Sequence, residues 1–206
     1  MGRFLNGING PIVGKVGTVH GSSWNGVPYV KGPYKKRTKR ISKKEKANRE
    51  KFGMAQSWLH PLLDFVRQGF KGYHERFQGF VAAKSWLLKN AFEGGQINPA
   101  LVKLSAGSLP LPESTSVAQL SKGKLKFTWS TECNKEASRF DQVMMLAYDI
   151  QTGEAIYQLT GQFRSAGTDD LPITTKPGRV YQLYIAFVAA DRQAQSDSKY
   201  LGEWKT

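Results

Sequence analysis

The stretch RVYQLYIAFVAA, residues 179–190, decides the fold of this chain. It is rich in β-branched and aromatic residues, which is typical of a β-strand. Because successive side chains of a strand point to opposite faces, residues 181, 183, 185 and 187 share one face and residues 180, 182, 184 and 186 share the other. The first set is Tyr, Leu, Ile and Phe, so we expect that face to be the core face.

Outward from this stretch, the whole C-terminal half has the pattern of an all-β domain. Short β-rich runs are separated by clusters of Gly, Asp, Ser and Pro; they lie at residues 101–109, 124–130, 142–150, 154–160, 179–190 and 199–204. Short strands at near-regular spacing predict a β-sandwich. We assign residues 99–206 to this domain and place Asp169 and Asp170 in a solvated loop.

Residues 52–98 have the pattern of a helical region. Apolar residues recur at three- and four-residue steps and predict one helix face, made of Phe52, Ala55, Leu59, Leu62, Leu63, Val66 and Phe70. Ser42 with Glu45 predicts a capping box at the start of the helix, and Pro61 predicts a kink or break near His60.

A further helix is expected from Phe77 to Phe92, closed by Gly94-Gly95. The residues expected to point inward are Val81, Trp86, Leu87 and Leu88.

Residues 1–34 predict a glycine-rich β arm. Eight glycines lie between Gly2 and Gly32, interleaved with apolar residues, and the segment carries no acidic residue. We expect two short strands around a turn, with a second turn at Asn25-Gly26. Because an isolated hairpin is marginal in water, the arm is expected to pack on the rest of its own chain or on a neighbouring subunit.

The charge of the chain is strongly asymmetric. Residues 1–103 hold 19 basic and 5 acidic side chains, whereas residues 104–206 hold 11 of each, so the net charge of +14 arises in the first half. A basic segment, residues 35–51, concentrates the excess. Such asymmetry points to an N-terminal part that faces a polyanion or forms an interface.

The basic segment is the candidate binding site. Its lysines and arginines would contact phosphates without sequence preference, and upstream aromatics would stack on exposed bases. The candidate nucleic-acid-binding residues are Lys35, Lys36, Arg37, Lys39, Arg40, Lys43, Lys44, Lys46, Arg49, Lys51, Trp24, Tyr29 and Tyr34. Two other interpretations stay open: docking on an acidic protein partner, and plain solubility of a helix extension.

No motif indicates catalysis, a metal site or a cofactor. His74-Glu75 does not continue into HExxH, because residue 78 is Gln, and no GxSxG elbow is present. Cys133 is the only cysteine and is expected to be a small buried residue, so neither a disulfide framework nor a cysteine-based zinc site is expected. We predict that the protein is not an enzyme.

The N-terminal residues do not form a secretory signal, and no apolar run approaches the length of a membrane span. We therefore expect a cytoplasmic protein, with a place in a virion also compatible with the pattern. A polysaccharide- or cell-surface-binding role for the sandwich is disfavoured by the missing export signal.

Two resemblances add to this interpretation. The C-terminal half resembles a fibronectin type III or immunoglobulin-like module, through Trp129 at the end of an early strand, VMMLAYD as a middle strand, and the run from PGRVYQLYIAF to SDSKYLG as the last two strands. The whole chain resembles an uncharacterised family of Bacteroidota proteins with a domain of unknown function, through NGINGPIVGKVGTVHGSSWNGVPYVKG, KFGMAQSWLHPLLDFVRQGF and SDSKYLG. The first implies interaction, and the second implies no known activity, cofactor or binding residue.

The expected fold is therefore α+β: a glycine-rich β-hairpin arm, two to three helices as a middle layer, and an all-β immunoglobulin-like sandwich. The leading functional hypothesis is a non-enzymatic structural or assembly protein that contacts copies of itself or other subunits, in a phage or mobile element. The alternative is a nucleic-acid-binding protein that uses the basic segment, with DNA or RNA as partner.

Overall fold

The computed structural model describes residues 2–7, 10–24, 26–33, 35–74, 78–121, 123–133, 136–174 and 177–206. Within these residues the chain forms thirteen β-strands and three α-helices. The strands are β1 (Arg3–Phe4), β2 (Ile12–Val16), β3 (Val19–Trp24), β4 (Val27–Lys31), β5 (Phe92–Glu93), β6 (Gln96–Ile97), β7 (Thr115–Ser121), β8 (Lys124–Trp129), β9 (Gln142–Asp149), β10 (Glu154–Gln158), β11 (Thr168–Pro172), β12 (Val180–Val188) and β13 (Lys199–Lys205). The helices are α1 (Lys43–Leu59), α2 (Leu63–Gly69) and α3 (Gly79–Asn90).

The chain divides into two compact units, Met1–Lys46 and Ala47–Thr206, which we call the N-terminal unit and the C-terminal unit. The boundary falls within the first turn of α1. The N-terminal unit contains an antiparallel sheet in the order β1-β2-β3-β4, which has four strands where the sequence predicted a two-stranded hairpin.

The C-terminal unit has three layers. Its central sheet has the order β10-β9-β12-β13, and a second sheet has the order β11-β8-β7; all neighbouring strands are antiparallel. One face of the central sheet packs against the second sheet in a sandwich. Its other face packs against the three helices, so the helices form an outer layer and not the middle layer that was expected.

Strand β12 is buried on both faces because it lies in the central sheet. Tyr181, Leu183, Ile185 and Phe187 point into the sandwich, as the alternation predicted. Tyr184 and Ala186, on the opposite face, are equally buried beneath the helices. The expectation of a single core face was therefore wrong, because alternation within one strand does not show that a second layer covers the other side.

The helix that was expected to begin at Ser42 is broken at Pro61. Helix α1 ends at Leu59, a 3₁₀ turn covers His60–Leu62, and α2 follows directly. A proline in a helix interior removes one backbone hydrogen bond and clashes with the preceding turn, which accounts for the break. Of the expected apolar face, Ala55 and Leu59 are buried, but Phe52 is 54% exposed.

Helix α3 ends at Asn90, and Gly94-Gly95 does not close it. Both glycines have positive φ, 58° and 88°, and they form the turn of the β5–β6 hairpin. A two-residue hairpin turn with positive φ at both positions favours glycine, which explains the pair. The buried residues of α3 are Ala82, Ala83 and Leu87, whereas Val81, expected to be inside, is 43% exposed.

Two other expectations about the C-terminal half were wrong. Residues 101–109 contain no strand beyond an isolated bridge at Leu109, whereas β7 and β11 form without having been predicted. Asp169 and Asp170 lie on β11, opposite Phe127 and Lys126, and not in a loop. Both missed strands are edges of the second sheet. β11 is mostly half-buried and the described side chains of β7 are half-buried or exposed, so the apolar pattern that marks a strand in sequence is weak there.

A buried ion pair holds one end of the sandwich together. Arg164, 1% exposed, has its Nε 3.3 Å from Asp141 Oδ2 and donates from Nη2 to the carbonyl oxygen of Pro110 at 2.7 Å. Its guanidinium carbon lies 4.6 Å from the ring centroid of Phe187. Burial raises the pKa of Asp141 and lowers the pKa of Arg164, against the opposing influence of their mutual attraction.

In the described part of the chain, no helix combines the length and apolarity that crossing a bilayer requires.

Candidate contact surface of the N-terminal unit

The N-terminal sheet has almost no side-chain core. Among the described residues of this unit, Gly21 is the one that is buried. Large apolar side chains are exposed instead: Phe4, Leu5, Val13, Trp24, Val27, Tyr29, Val30 and Ile41. The C-terminal unit, in contrast, buries two large apolar clusters. The N-terminal unit therefore carries large apolar side chains that do not pack into a core of its own.

Backbone packing takes the place of a core at Gly21. A Cβ atom at this position would lie 1.9 Å from the carbonyl oxygen of Ile12, so the backbone of β2 passes directly over β3. Gly14, the partner of Gly21 in the ladder, has φ of 90°, a conformation that other residues rarely adopt. These two glycines allow a tight bend of the sheet that larger residues would block.

Strand pairing places cations and aromatic rings on one face of this sheet. Opposite residues of an antiparallel pair share a face. In the β3–β4 hairpin, Trp24 pairs with Val27, Ser22 with Tyr29, and His20 with Lys31. Lys15 of β2 pairs with His20 and extends the same face. We call Lys15, His20, Lys31, Tyr29 and Trp24 the cation–aromatic face.

The geometry of this face is a polar row beside an aromatic pair. Lys15, His20 and Lys31 lie across three neighbouring strands at one end. Tyr29 and Trp24 are diagonal neighbours in the β3–β4 ladder and are 43% and 60% exposed. Rings in such positions lie within reach of one another and of a common ligand.

The structure therefore brings together Trp24 and Tyr29, two of the three aromatics predicted to stack on bases. Tyr34, the third, lies outside the described residues. The sequence interpretation missed Lys15, His20 and Lys31. The turn predicted at Asn25-Gly26 was a signal for His20 and Lys31, because a two-residue turn there pairs residue 24 with residue 27 and therefore residue 20 with residue 31.

One member of the basic segment is already bound within the unit. The Arg37 guanidinium forms a bidentate pair with the Glu45 carboxylate and donates from Nε to the carbonyl oxygen of Lys39 at 2.8 Å. Hydrogen bonds to Glu45 raise the pKa of Arg37. Ser42 Oγ accepts from the backbone N–H of Glu45 at 3.1 Å, so Ser42 is the N-cap of α1. The expected cap is present, with the glutamate turned toward Arg37.

The remaining candidate cations fall in three places. Lys35, Lys36, Lys39 and Arg40 are exposed on non-helical backbone before the cap. Lys43, Lys44 and Lys46 are exposed in the first turn of α1. Arg49 and Lys51 belong to the C-terminal unit, where Lys51 Nζ lies 5.4 Å from the ring centroid of Phe92.

The charge of the molecule is concentrated in the N-terminal unit. Residues 1–46 contain 11 Lys or Arg and one acid, Glu45, a net charge of +10. Residues 47–206 contain 19 basic and 15 acidic side chains, a net charge of +4. A surface that is both strongly cationic and apolar is suited to a partner with negative charge and apolar or aromatic groups.

Within the described residues, no group of three or more His, Cys, Asp or Glu side chains could hold a metal ion. Cys133 is exposed and not buried as expected, although it remains a free thiol. Asp197 forms an ion pair with Lys103, whose Nζ lies 2.5 Å from Asp197 Oδ2.

A sequence profile for a family of unknown function, DUF6266, matches residues 11–202. The chain belongs to this family. No curated protein is significantly similar to it. The family match covers residues of both units, so the N-terminal sheet and the C-terminal unit both belong to the sequence that defines the family.

Three solved structures, two of them of fibronectin type III domains, are similar to part of the chain. Chicken CNTN1 domains FN1–FN3 align with a TM-score of 0.36 and 12% identity, over 48% of this chain and 33% of that one. The fn3 domain of human collagen alpha-1(XX) aligns with a TM-score of 0.37 and 13% identity, over 50% of this chain and 90% of that one. A myokine structure aligns with a TM-score of 0.34 and 16% identity, over 48% of this chain and 98% of that one. With TM-scores below 0.5, these similarities add nothing to the strand packing described above.

Proposed function

We propose that this chain is a non-enzymatic structural protein of an assembly, and that its N-terminal unit binds a neighbouring subunit. The observation that carries the proposal is a four-stranded sheet in which, among the residues the structure describes, only Gly21 is buried and large apolar side chains are exposed. A sheet needs a covered apolar face for independent stability. Contiguous exposed apolar surface is typical of interaction sites.

The charge of the N-terminal unit restricts how copies of the chain associate. Two such units, each with a net charge of +10, repel one another. A symmetric contact between two N-terminal units is therefore disfavoured. The contact is instead heterologous, with the N-terminal unit of one subunit against a different, less cationic surface of the next, a geometry that builds rings or fibres.

The experiment compares the mass in solution of the full chain with that of a variant comprising residues 35–206. This variant keeps Arg37, Ser42 and Glu45, so the start of α1 stays capped, and it keeps both apolar clusters of the C-terminal unit. We expect the full chain to self-associate at micromolar concentration and moderate salt, and the variant to be monomeric. Monomers in both samples would count against the proposal.

A second candidate function is sequence-independent binding of single-stranded nucleic acid. The observation that favours it is the cation–aromatic face, where Lys15 and Lys31 lie on the same side as Tyr29 and Trp24. Stacking on aromatic side chains contributes about 1–3 kcal/mol per base. The exposed cations of residues 35–44 supply further phosphate contacts.

Titration of a labelled oligonucleotide at several salt concentrations tests this candidate. A triple variant, Lys35→Gln, Lys36→Gln and Lys39→Gln, should weaken binding and lower the salt slope by about two, because each neutralised phosphate of a single strand accounts for about 0.7 of the slope. Arg37 is left intact because it is paired with Glu45. The matched control removes three exposed lysines of the sandwich: Lys124, Lys199 and Lys205. Equal slopes for both triple variants would remove this candidate.

A phage or mobile-element context, including a virion, fits a chain with a cationic contact module and a self-sufficient β domain. This context and an origin in Bacteroidota remain part of the proposal. Structural phage genes beside the gene for this chain would support it, and metabolic or surface-polysaccharide genes would oppose it.

A further inference from the structure

The outer surface of the helical layer carries an apolar groove along α3. Two hollows, of about 310 and 500 Å³, share Val81, Ser85 and Lys89 as lining residues. Phe52 of α1 borders the first hollow, and Tyr73 borders the second. Because both hollows border the same row of residues four apart on one helix, they lie along a single outward face of α3, and we call this face with its two hollows the α3 groove.

The α3 groove exposes large apolar side chains on a helix face where polar residues are usual. Phe52 is 54%, Tyr73 50% and Val81 43% exposed. The inner face of the same layer is fully occupied, with Ala83 of α3 and Leu59 of α1 at 0% exposure against the central sheet. The groove is thus not a gap in the core but a second apolar surface on the opposite side of the helices.

The described lining of the groove is cationic. Lys84 and Lys89 lie in it, and no described lining residue carries a carboxylate. Lys84 Nζ lies 5.9 Å from the ring centroid of Phe52 and donates to Gln56 Oε1 at 3.1 Å. Its ammonium group is therefore held at the edge of the apolar surface, where it would meet an anion beside an apolar side chain.

We propose that the α3 groove binds an amphipathic helix of a partner protein that carries acidic residues beside its apolar face. From residue 81 to residue 89 the groove follows α3 for about 12 Å at 1.5 Å per residue. That length accommodates about two turns of a helix that inserts apolar side chains at positions i, i+3, i+4 and i+7. The lysines select acidic flanks by charge complementarity. The described lining contains no residue of the N-terminal sheet, and the proposal does not depend on the proposed function.

The test uses the full chain and two fluorescein-labelled 14-residue synthetic helices at 150 mM salt. Both peptides carry leucines at the four apolar positions; one is flanked by glutamates and the other by lysines. Fluorescence anisotropy should show binding of the glutamate peptide and at least tenfold weaker binding of the lysine peptide.

Variants locate the site. The double variant Lys84→Glu, Lys89→Glu should bind the glutamate peptide at least tenfold more weakly than the wild type does, and the lysine peptide more tightly. Val81→Asp should weaken the binding of both peptides. The matched control, Lys124→Glu with Lys199→Glu, should change neither. Circular dichroism melting shows whether each variant is folded; if the charge-reversed pair melts early, Val81→Asp alone decides.

Three results would overturn the proposal. The first is glutamate-peptide binding that is equal in wild type, Val81→Asp and the charge-reversed pair, because such binding would come from the cationic N-terminal unit. The second is equal affinity for both peptides. The third is displacement of the glutamate peptide by a single-stranded oligonucleotide at stoichiometric concentration, which would make the lysines a phosphate site.

Discussion

Replacement of Trp24 by serine tests the proposed contact most directly. Trp24 is 60% exposed at the end of the β3–β4 hairpin, next to Val27 in the ladder. A tryptophan at the centre of an interface is a frequent hot spot, since it buries a large area with few rotatable bonds. We expect Trp24→Ser to weaken self-association without unfolding the C-terminal unit, whose apolar clusters do not contain this residue.

The expected magnitude follows from the exposed area. Complete burial of an aromatic side chain removes about 150–250 Å² from water, so a side chain that is 60% exposed has about 90–150 Å² left to bury. At about 25 cal/mol per Å² this corresponds to about 2–4 kcal/mol. Since 1.4 kcal/mol is a tenfold change, the dissociation constant should rise roughly 30- to 700-fold.

Sedimentation velocity over a concentration series, on protein free of nucleic acid, measures this constant. The matched control is Phe140→Ser, which removes a 51% exposed aromatic from the sandwich. The control should change the dissociation constant less than about threefold. If Trp24→Ser and Phe140→Ser have equal effects, the N-terminal sheet is not the contact surface and the proposed function fails.

Three further predictions concern stability. Asp141→Asn leaves a buried guanidinium without its carboxylate and should lower the free energy of unfolding, measured in urea at pH 7, by about 3–5 kcal/mol. The control, Asp64→Asn, removes one partner of an exposed ion pair and should lower it by less than about 1 kcal/mol. Equal losses in the two variants would contradict the role of burial. Gly21→Ala should unfold the N-terminal sheet alone, because the new Cβ would lie 1.9 Å from the carbonyl oxygen of Ile12. Hydrogen exchange should then show reduced protection confined to residues 12–31. Unchanged protection would refute the close approach of the Ile12 backbone to Gly21. Burial raises the pKa of Tyr148 to about 12, so the native state holds the phenol proton more tightly than the unfolded state. The resulting contribution to the free energy of unfolding is complete below about pH 10 and is lost as the pH rises toward 12. The urea midpoint should therefore decline between pH 8, 10 and 11, and the decline should be smaller in Tyr148→Phe.

Local signals in the sequence predicted local structure well. Ser42 is the N-cap of α1, and Pro61 ends the helix, because both effects depend on backbone groups within one turn. The alternation of residues 181–187 likewise identified the face that fills the sandwich. Where the prediction failed, at the Gly94-Gly95 turn, two local explanations of a glycine pair competed, and only the pairing of β5 with β6 distinguishes them.

Partners distant in sequence could not be predicted. Asp141 and Arg164 are 23 residues apart and meet because the chain returns to the same end of the sandwich. The α3 groove could not be predicted either, since Phe52 and Val81 have the apolar character of core residues. Whether such residues face the core or water depends on which side of the helix the sheet covers.

For this protein, the sequence alone determined the charge asymmetry, the helical middle and the β-rich second half, because these depend on composition and on neighbours within a few residues. Tertiary structure alone decided that the central sheet is covered on both faces and that the described residues of the N-terminal sheet form almost no side-chain core. It also decided that Lys15, His20 and Lys31 share a face with Tyr29 and Trp24. Such properties depend on which strands pair and which layers stack, and free energy of burial is set by those long-range contacts and not by residue type alone.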